Sequence, residues 1–261
     1  MKPRAATIPV FMLTAMLASA GSASAERLVT SLSSHRVMIT SNFTGAELVL
    51  FGSVERDAAT VPRRGGYDLV ATVTGPRQTL VTRRKDRVFG IWVNVESRAF
   101  VEVPSYLAIF SNKPFDAIAN ANMLRQNRVG FANTMLTQQI GPDLADTNSE
   151  DSLRMAFIRL RQASKLYIEQ PNGVTFLTPA LYRASILLPA ETPVGAYEVD
   201  VKLFADGAMI ARTASALEVV KVGFEQFVAA SARDYGFLYG LVTMAMALMT
   251  GWLASVAFRR D

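Results

Sequence analysis

The pattern of hydrophobic and polar positions changes in character along the chain. Short apolar runs near its start are rich in Val, Leu, Ile and aromatic residues, and Gly, Pro, Arg and Asp separate them. The runs are ELVLFGSV, YDLVATVTG, QTLVTRR and RVFGIWVNV, at a spacing typical of an all-β sandwich or barrel. The charged run RRKDR at residues 83–87 lies between two of them and is predicted to form a hairpin tip.

A helical pattern follows over residues 114–168. The best helix is predicted to start after TNSE at 147–150, where Thr147 and Glu150 match the S/T-x-x-E capping box and Asp151 also lies in the first turn. Pro171 and the two residues after it are predicted to end this helix. Its predicted buried stripe is Leu153, Ala156, Phe157, Leu160 and Tyr167, with Arg154, Arg161 and Lys165 pointing elsewhere.

The β pattern returns after this helix. Apolar side chains at 197, 199, 201 and 203 alternate with charged ones at 198, 200 and 202, which predicts a half-buried strand. Asp206-Gly207 predicts a type I′ hairpin turn after it, and Tyr197 resembles the tyrosine of a tyrosine corner. The predicted architecture is mainly β: one immunoglobulin-like β-sandwich at residues 26–222 with a helical insertion at about 114–168. Two β domains that flank a helical linker are the alternative.

Both ends of the chain carry uninterrupted apolar stretches. Residues 236–258 contain no charged residue, Asn, Gln, His or Pro, and as a helix they would extend about 35 Å, enough to cross a membrane. We predict a transmembrane helix there, preceded by a juxtamembrane helix at 223–235. Residues 1–25 combine Lys2 and Arg4 with an apolar run and a final Ala-Ser-Ala, which predicts a cleaved signal peptide.

These two segments predict a topology. The domain after the signal peptide would lie in the periplasm, one helix would cross the inner membrane, and the tail at 259–261 would remain in the cytoplasm. Arg259 and Arg260 agree with the excess of positive charge expected on the cytoplasmic side.

Composition narrows the possible functions. The chain has no cysteine, which excludes disulfides and thiolate chemistry. Its formal net charge is +5, but the predicted exported region alone carries about +2 once the charged residues of both ends are removed. Nucleic-acid-binding domains usually show a dominant basic face, so no nucleic-acid partner is predicted.

Few side chains are candidates for chemistry. His35 is the single histidine and is predicted to lie at the surface or at a strand edge. The acidic residues between 143 and 151 do not match a calcium-binding loop, because Asp151 and Phe157 stand where an EF-hand counted from Asp146 needs Gly and Glu, so helix capping is the simpler interpretation. Trp92 is predicted to be a core tryptophan of the sandwich. No metal site, cofactor or catalytic residue is predicted.

Two sets of residues are candidates for binding. The first set is basic and is predicted to bind an anion, a phospholipid headgroup or an acidic partner, or else to be a solvated hairpin tip: Arg63, Arg64, Arg83, Arg84, Lys85 and Arg87. The second set is a row of small residues in the predicted membrane helix, where helices can approach closely: Gly236, Gly240, Thr243, Ala247, Gly251 and Ser255.

Several stretches together carry a family resemblance. They are FTGAELVLFG, RRKDRVFGIWVN, VPSYLAIFSNKP, LPAETPVGAYEVDVKLFADG, KVGFEQFV and LYGL with GWLASVAFRR. In these the chain resembles a family of transmembrane proteins from alpha-proteobacteria. The resemblance implies an exported β-rich domain with one C-terminal membrane helix and supplies no catalytic residues. It also implies a membrane partner, since members are encoded near sulfite-exporter-like permeases.

The functional expectation is a non-enzymatic accessory protein whose helix docks on another membrane protein or on a second copy of itself, with membrane lipid around it. It would support a membrane transporter for a small anion. A membrane-anchored module that binds a sugar or an envelope polymer is the alternative, and a hydrolase that uses two carboxylates is a more remote one.

Overall fold

A computed structural model describes residues 26–56, 65–146, 151–223, 228 and 231–257. The described part is mostly β, as the sequence predicts. Its strands are β1 (Arg27–Leu32), β2 (Arg36–Ile39), β3 (Gly45–Glu55), β4 (Asp68–Thr74), β5 (Arg77–Val88), β6 (Ile91–Pro104), β7 (Leu107–Ser111), β8 (Thr137–Ile140), β9 (Asp143–Asp146), β10 (Tyr167–Gln170), β11 (Val174–Phe176), β12 (Leu181–Pro189), β13 (Gly195–Ala205) and β14 (Ala208–Lys221). Its helices with described bounds are α1 (Phe115–Ile118), α2 (Ala121–Gln126), α3 (Ser152–Ala163) and α4 (Gly236–Ala257).

The strands of the described residues form three sheets. Sheet A has the order β1-β3-β12-β11, sheet B the order β10-β7-β4-β13-β14-β2, and sheet C the order β5-β6-β8-β9. Strand pairs are antiparallel except β10 with β7 and β14 with β2, which are parallel. One face of sheet A and one face of sheet B share a hydrophobic core, so the two sheets form a sandwich.

The alternation read from the sequence accounts for this core. Every second residue of β12 points inward, among them Ile186 and Leu188, and every second residue of β13 does the same, among them Val199 and Val201. Because successive side chains of a strand point to opposite faces, each strand supplies the core from one face.

The strand order has the arrangement of an immunoglobulin sandwich. Strands β1, β3, β12 and β11 correspond to the A, B, E and D strands of one sheet, and β4, β13 and β14 correspond to C, F and G of the other. The immunoglobulin-like class stays a prediction, for which this order is the structural argument.

Two local features of β13 agree with the sequence. The hydroxyl of Tyr197 donates a hydrogen bond to the carbonyl oxygen of Pro193 at 2.6 Å, the contact that defines a tyrosine corner. At the other end of the strand, Asp206 and Gly207 both have positive φ, as a type I′ turn requires, and the turn joins β13 to β14.

The insertion is less helical than the sequence indicates. Between β7 and β10 the chain forms α1, α2, α3 and also strands β8 and β9, which extend sheet C. The predicted helical insertion at about 114–168 thus contains helices, but it also contains two strands that the sequence did not indicate. The insertion covers the outer face of sheet B through a second core, in which Phe157 stacks on Phe100 with ring centroids 4.3 Å apart.

Helix α3 begins directly after the predicted TNSE segment but ends earlier than predicted. Its N-cap is Asp151, whose carboxylate accepts a hydrogen bond from the backbone N–H of Arg154, while Thr147 and Glu150 lie outside the described residues. The helix ends at Ala163, and Tyr167 belongs to β10. A capping box anchored on Thr147 is thus not the start of this helix.

The predicted stripe of α3 is partly wrong. Leu153 and Phe157 are buried, but Leu160 is 57% exposed and Arg154, predicted to point elsewhere, is only 2% exposed. The Arg154 guanidinium donates to Asp146 Oδ1 at 2.8 Å and to the carbonyl oxygen of Thr134 at 2.6 Å. These partners outweigh the loss of water around the charge and let α3 bury an arginine.

The hairpin of β5 and β6 is longer than predicted. Arg83 and Arg87 lie within β5, and the turn is formed by Phe89 and Gly90, both at positive φ. The prediction that RRKDR forms the tip is wrong because charged residues can occupy both faces of a strand that has no core beneath it.

The C-terminal segment agrees with a membrane span. Helix α4 covers residues 236–257 and is long and apolar enough to cross a membrane, and none of its residues is buried in the domain. Residues 231–234 are helical, but Gly223 is not, so a juxtamembrane helix that starts at 223 is not observed. The predicted signal peptide at 1–25 and the tail at 259–261 lie outside the described residues.

We expect the change Tyr197→Phe to lower the free energy of unfolding by about 1–2 kcal/mol, because it leaves the Pro193 carbonyl without its hydrogen bond. Urea unfolding of the full chain in detergent, followed by far-UV circular dichroism, measures this loss. Tryptophan fluorescence is a poor probe, since Trp92 and Trp252 lie outside both cores.

Exposed Tyr235 provides the control. Tyr235→Phe should change the free energy of unfolding by less than about 0.5 kcal/mol. Equal effects of the two substitutions would contradict a role of the tyrosine corner in stability.

Candidate functional site

A polar cavity lies on the outer face of sheet B. On this face β4 and β13 are directly paired, with Thr74 opposite Glu198, Thr72 opposite Asp200, and Lys202 one step further along. The insertion and the base of the β5–β6 hairpin close over these residues. The cavity has a volume of about 520 Å³. Its lining consists of Thr72, Thr74, Arg77, Pro104, Leu107, Gln126, Asn127, Arg128, Thr134, Met135, Glu198, Asp200, Lys202, Met209 and Arg212.

Three charged side chains form the floor of the cavity. Asp200 accepts a hydrogen bond from Arg212 Nε at 2.7 Å, and its other carboxylate oxygen lies 3.1 Å from Lys202 Nζ. Asp200 and Lys202 are buried, whereas Arg212 is about half exposed. The hydrogen bond and the charge of Asp200 raise the pKa of Arg212 above its ordinary value, so this guanidinium stays charged.

Lys202 also ties the insertion to the sheet. Its Nζ donates to the carbonyl oxygen of Asn127 at 2.8 Å, and Asn127 is the residue that ends α2. The wall of the cavity is therefore fixed to its floor by a charge-assisted hydrogen bond.

One polar group of the floor has no hydrogen-bond partner within the described residues. The Thr72 side chain is only 9% exposed, and its Oγ1 is buried without a protein partner. Buried hydroxyls are usually hydrogen-bonded, so the hydrogen bond of Thr72 is left to a water molecule or a ligand at the cavity.

Sequence reasoning missed this cavity. The alternation in β13 predicts that Asp200 and Lys202 face water, but both are buried beneath the insertion. A strand with charged residues on one face is normally half-buried, and only the fold places a second layer over that face. The available signal was the presence of both an acidic and a basic residue, Asp200 and Lys202, on one face of the strand, which allows an ion pair along that face.

The second candidate feature is the hairpin arm, defined as residues 83–95 of β5, the turn and β6. Nearly every residue of this arm is exposed. Six residues of β5 at about 3.3 Å each let the arm extend roughly 20 Å from the second core. At its end Phe89 is 100% exposed and Ile91 and Trp92 are also exposed, which places a large apolar surface in solvent.

The turn of the hairpin arm places a bulky residue in a backbone conformation that such residues rarely adopt. Phe89 has φ of 50°, a conformation that favours Gly, Asn and Asp and is uncommon for a bulky side chain. Backbone conformations of this kind concentrate at functional sites. An aromatic residue held in such a turn, with no contact to the core, favours a role in binding.

The structure groups four residues of the basic set on the hairpin arm: Arg83, Arg84, Lys85 and Arg87. Arg84 lies 3.5 Å from Glu96, whereas the other three form no ion pair within the described residues. Arg63 and Arg64 lie outside the described residues. The arm thus combines unpaired positive charge with an apolar end.

Trp92 does not occupy the position that the sequence predicts. It is 67% exposed near the end of the hairpin arm and pairs across the strands with Arg87. The prediction of a core tryptophan is wrong, because Trp92 lies on the projecting part of β6 and not on a strand of the sandwich.

The other candidates have structural roles. His35 is exposed and its Nδ1 lies 3.1 Å from the carbonyl oxygen of Ala216 at the edge of sheet B, as predicted for a strand-edge residue.

Asp151 caps α3 and lies 3.1 Å from Arg98. Burial raises the pKa of Asp151, but a hydrogen bond with Gln138 and the Arg98 charge outweigh burial and hold this pKa below its usual range. Within the described residues no cluster of metal-ligating side chains occurs.

The small-residue row lies along α4. Gly236, Gly240 and Ala247 are separated by steps that keep them on one side of a helix of 3.6 residues per turn. The hydroxyls of Thr243 and Thr250 bond to carbonyls of the preceding turn, Thr243 to Tyr239 at 3.0 Å, so these two leave no unsatisfied donor toward lipid. The rest of the row is Thr243, Gly251 and Ser255.

The described residues form a mainly β fold followed by one helix that is long and apolar enough to cross a membrane. The profile of a family described as "Putative transmembrane protein (Alph_Pro_TM)" matches residues 27–260. The chain therefore belongs to this alpha-proteobacterial family of transmembrane proteins. Among curated proteins, none matches the chain.

We expect Asp200→Asn to lower the free energy of unfolding by about 3 kcal/mol, because Lys202 would stay buried without its carboxylate. Urea unfolding of the full chain, followed by circular dichroism, measures this change.

The matched control is Glu218→Gln, which removes an exposed ion pair with Arg36. Its effect should stay below about 1 kcal/mol. If the two substitutions cost the same, the buried cluster is not a structural constraint on the cavity floor.

Proposed function

We propose that this chain is a membrane-anchored interaction protein of the periplasm, without catalytic activity, which supports a second integral membrane protein. The observation that carries the proposal is the hairpin arm, an exposed apolar turn flanked by unpaired cations. Exposed apolar side chains gathered at one place are typical of interaction sites.

The chemistry of the hairpin arm fits an acidic protein surface with an apolar pocket. Phe89 and Trp92 can fill a pocket, as aromatic anchors do at protein interfaces. Arg83, Lys85 and Arg87 can steer the arm toward negative charge around that pocket. The same combination occurs at lipid surfaces, and the experiment below separates the two.

The position of the arm supports a partner in the membrane. The hairpin that carries the arm starts at Arg77, just after the end of β4, and Thr74 at that end pairs with Glu198. Glu198 pairs in turn with Ala216, near the end of β14, and α4 follows β14 in the chain. The base of the arm and the exit toward the membrane helix thus lie at the same end of sheet B.

The membrane helix supplies the second contact in this proposal. The small-residue row would let α4 approach a helix of the partner, or α4 of a second copy, closely enough for van der Waals packing. The proposed orientation has the β domain in the periplasm and the C-terminus in the cytoplasm, with the helix in the inner membrane. The partner class we propose is a transporter of a small anion, in line with the family's sulfite-exporter-like neighbours.

Ligand binding is the second candidate function, and the cavity on sheet B favours it. Its lining within the described residues contains no aromatic ring, so it offers no platform on which a sugar could stack. Its two carboxylates, Glu198 and Asp200, lie two residues apart on one strand, and Asp200 is paired with two cations. Such a pair does not form the opposed arrangement that a carboxylate hydrolase requires.

A photoreactive residue at Trp92 should capture a specific integral membrane protein in cells, because the arm's apolar end would be buried in the partner. Mass spectrometry of the purified adduct identifies it. The control is the same residue at Phe51, which is exposed on sheet A, away from the arm.

Charge reversal tests whether the captured protein is the functional partner. Arg83→Glu with Lys85→Glu should reduce adduct yield at least tenfold, whereas Arg183→Glu on the exposed face of β12 should not. Adducts only with lipid at Trp92 would overturn the protein partner in favour of the bilayer, and equal yields from Trp92 and Phe51 would remove the arm's role.

The helix contact is tested in the same way at a second position. A photoreactive residue at Ala247 in the small-residue row should give a protein adduct, and one at Leu248, off the row, should give none. Self-adducts from 247 would show a homodimer, and lipid adducts alone from both positions would show that α4 is a plain anchor.

A further inference from the structure

The cavity on sheet B is a built site at the meeting point of three parts of the fold. Sheet B provides its floor, the insertion provides one wall with Asn127 and Arg128, and the base of the hairpin arm provides another with Arg77 and Pro104. The Lys202 hydrogen bond to Asn127 holds the insertion wall in place. A volume of about 520 Å³ lies within the range of small-molecule sites.

The charges of the lining favour an anionic ligand. Four lining residues are cationic, namely Arg77, Arg128, Lys202 and Arg212, against the two carboxylates Glu198 and Asp200. The lining therefore carries an excess of two positive charges, in a site partly screened from water, where an anion is attracted more strongly than in bulk solvent.

The distribution of these charges assigns them different roles. Asp200 is already occupied by Lys202 and Arg212, so this cluster serves mainly to hold the floor together. Arg77 donates through Nη1 to the carbonyl oxygen of Glu102, which fixes the guanidinium and leaves its other N–H groups available. A planar guanidinium of this kind suits the paired oxygens of a carboxylate, sulfate or phosphate.

Thr72 provides the independent observation. Its hydroxyl is more than nine-tenths buried and has no hydrogen-bond partner within the described residues, although it lines a polar cavity. A buried hydroxyl without a hydrogen-bond partner costs free energy. A ligand oxygen in the cavity would accept the Thr72 O–H and remove that cost.

We propose that this cavity binds a small hydrophilic oxyanion, a solute that bears a carboxylate, sulfate, sulfonate or phosphate group. Arg77 binds the oxyanion, the Thr72 hydroxyl donates to one of its oxygens, and Lys202 and Arg212 add long-range attraction. The site does not depend on what the hairpin arm contacts, so it goes beyond the interaction function proposed above.

The test measures binding of three probes, sodium sulfate, sodium phosphate and sodium succinate, to the full chain in neutral detergent. Isothermal titration calorimetry and thermal unfolding are both measured at constant ionic strength set with sodium chloride, and glucose serves as the uncharged control. We expect saturable binding of at least one oxyanion, a higher Tm in its presence, and no effect of glucose.

Two substitutions locate the binding. Thr72→Val keeps the shape of the side chain and removes the unsatisfied hydroxyl, so the unliganded variant should unfold at the same Tm or higher while its affinity falls about tenfold. Arg77→Gln should lower the affinity at least tenfold. The matched control Arg183→Gln, an exposed arginine on sheet A, should leave both the affinity and the Tm unchanged.

Three results would overturn the proposal: no saturable binding of any oxyanion, binding that chloride reproduces at equal ionic strength, or affinity that both cavity variants retain. Binding of glucose in place of the oxyanions would overturn the ligand class. Because Thr72→Val is expected to fold normally, a loss of affinity in that variant reports on the site itself. A failure of the cross-links at the hairpin arm would leave this result unaffected.

Discussion

Strand β13 carries apolar side chains on one face, and its other face carries the charged residues Asp200 and Lys202, which are buried as well. The apolar face belongs to the sandwich core, where alternate side chains of the strand are buried against sheet A. The charged face can be buried only because Asp200 pairs with Lys202 and Arg212, and because the insertion supplies a carbonyl oxygen for Lys202. Without these partners the insertion could not cover the charged part of sheet B, where the cavity lies.

The same covering layer separates a packed part of sheet B from an open part. Where the outer face carries Phe204, the insertion packs against it in a second hydrophobic core. Where the outer face carries Asp200 and Thr72, the insertion covers these polar groups without packing tightly on them, and the cavity lies between them. The boundary between core and cavity therefore follows the change from apolar to polar residues along a single strand face.

The two proposed sites share one end of the fold. The hairpin that carries the arm and a wall of the cavity both start from the segment around Arg77, directly after β4, at the end of sheet B from which the chain continues to α4. The arm offers an apolar turn with unpaired cations, which suits a large partner. The cavity offers buried polar groups, which suit a small ligand. Both proposals rest on positive charge placed where the protein itself supplies few carboxylates.

The sequence by itself determined the mainly β fold, the turn at Asp206-Gly207, the tyrosine corner at Tyr197 and the membrane-spanning helix. Each of these depends on contacts or periodicities within a few residues, or on the length of one apolar run, and such features can be read locally. Only the tertiary structure decided that Arg154 is buried, that Trp92 is exposed, and that Asp200 lies in a cavity. In each case the environment is made by segments far apart in sequence, so the polarity of the residue alone predicts the wrong surroundings.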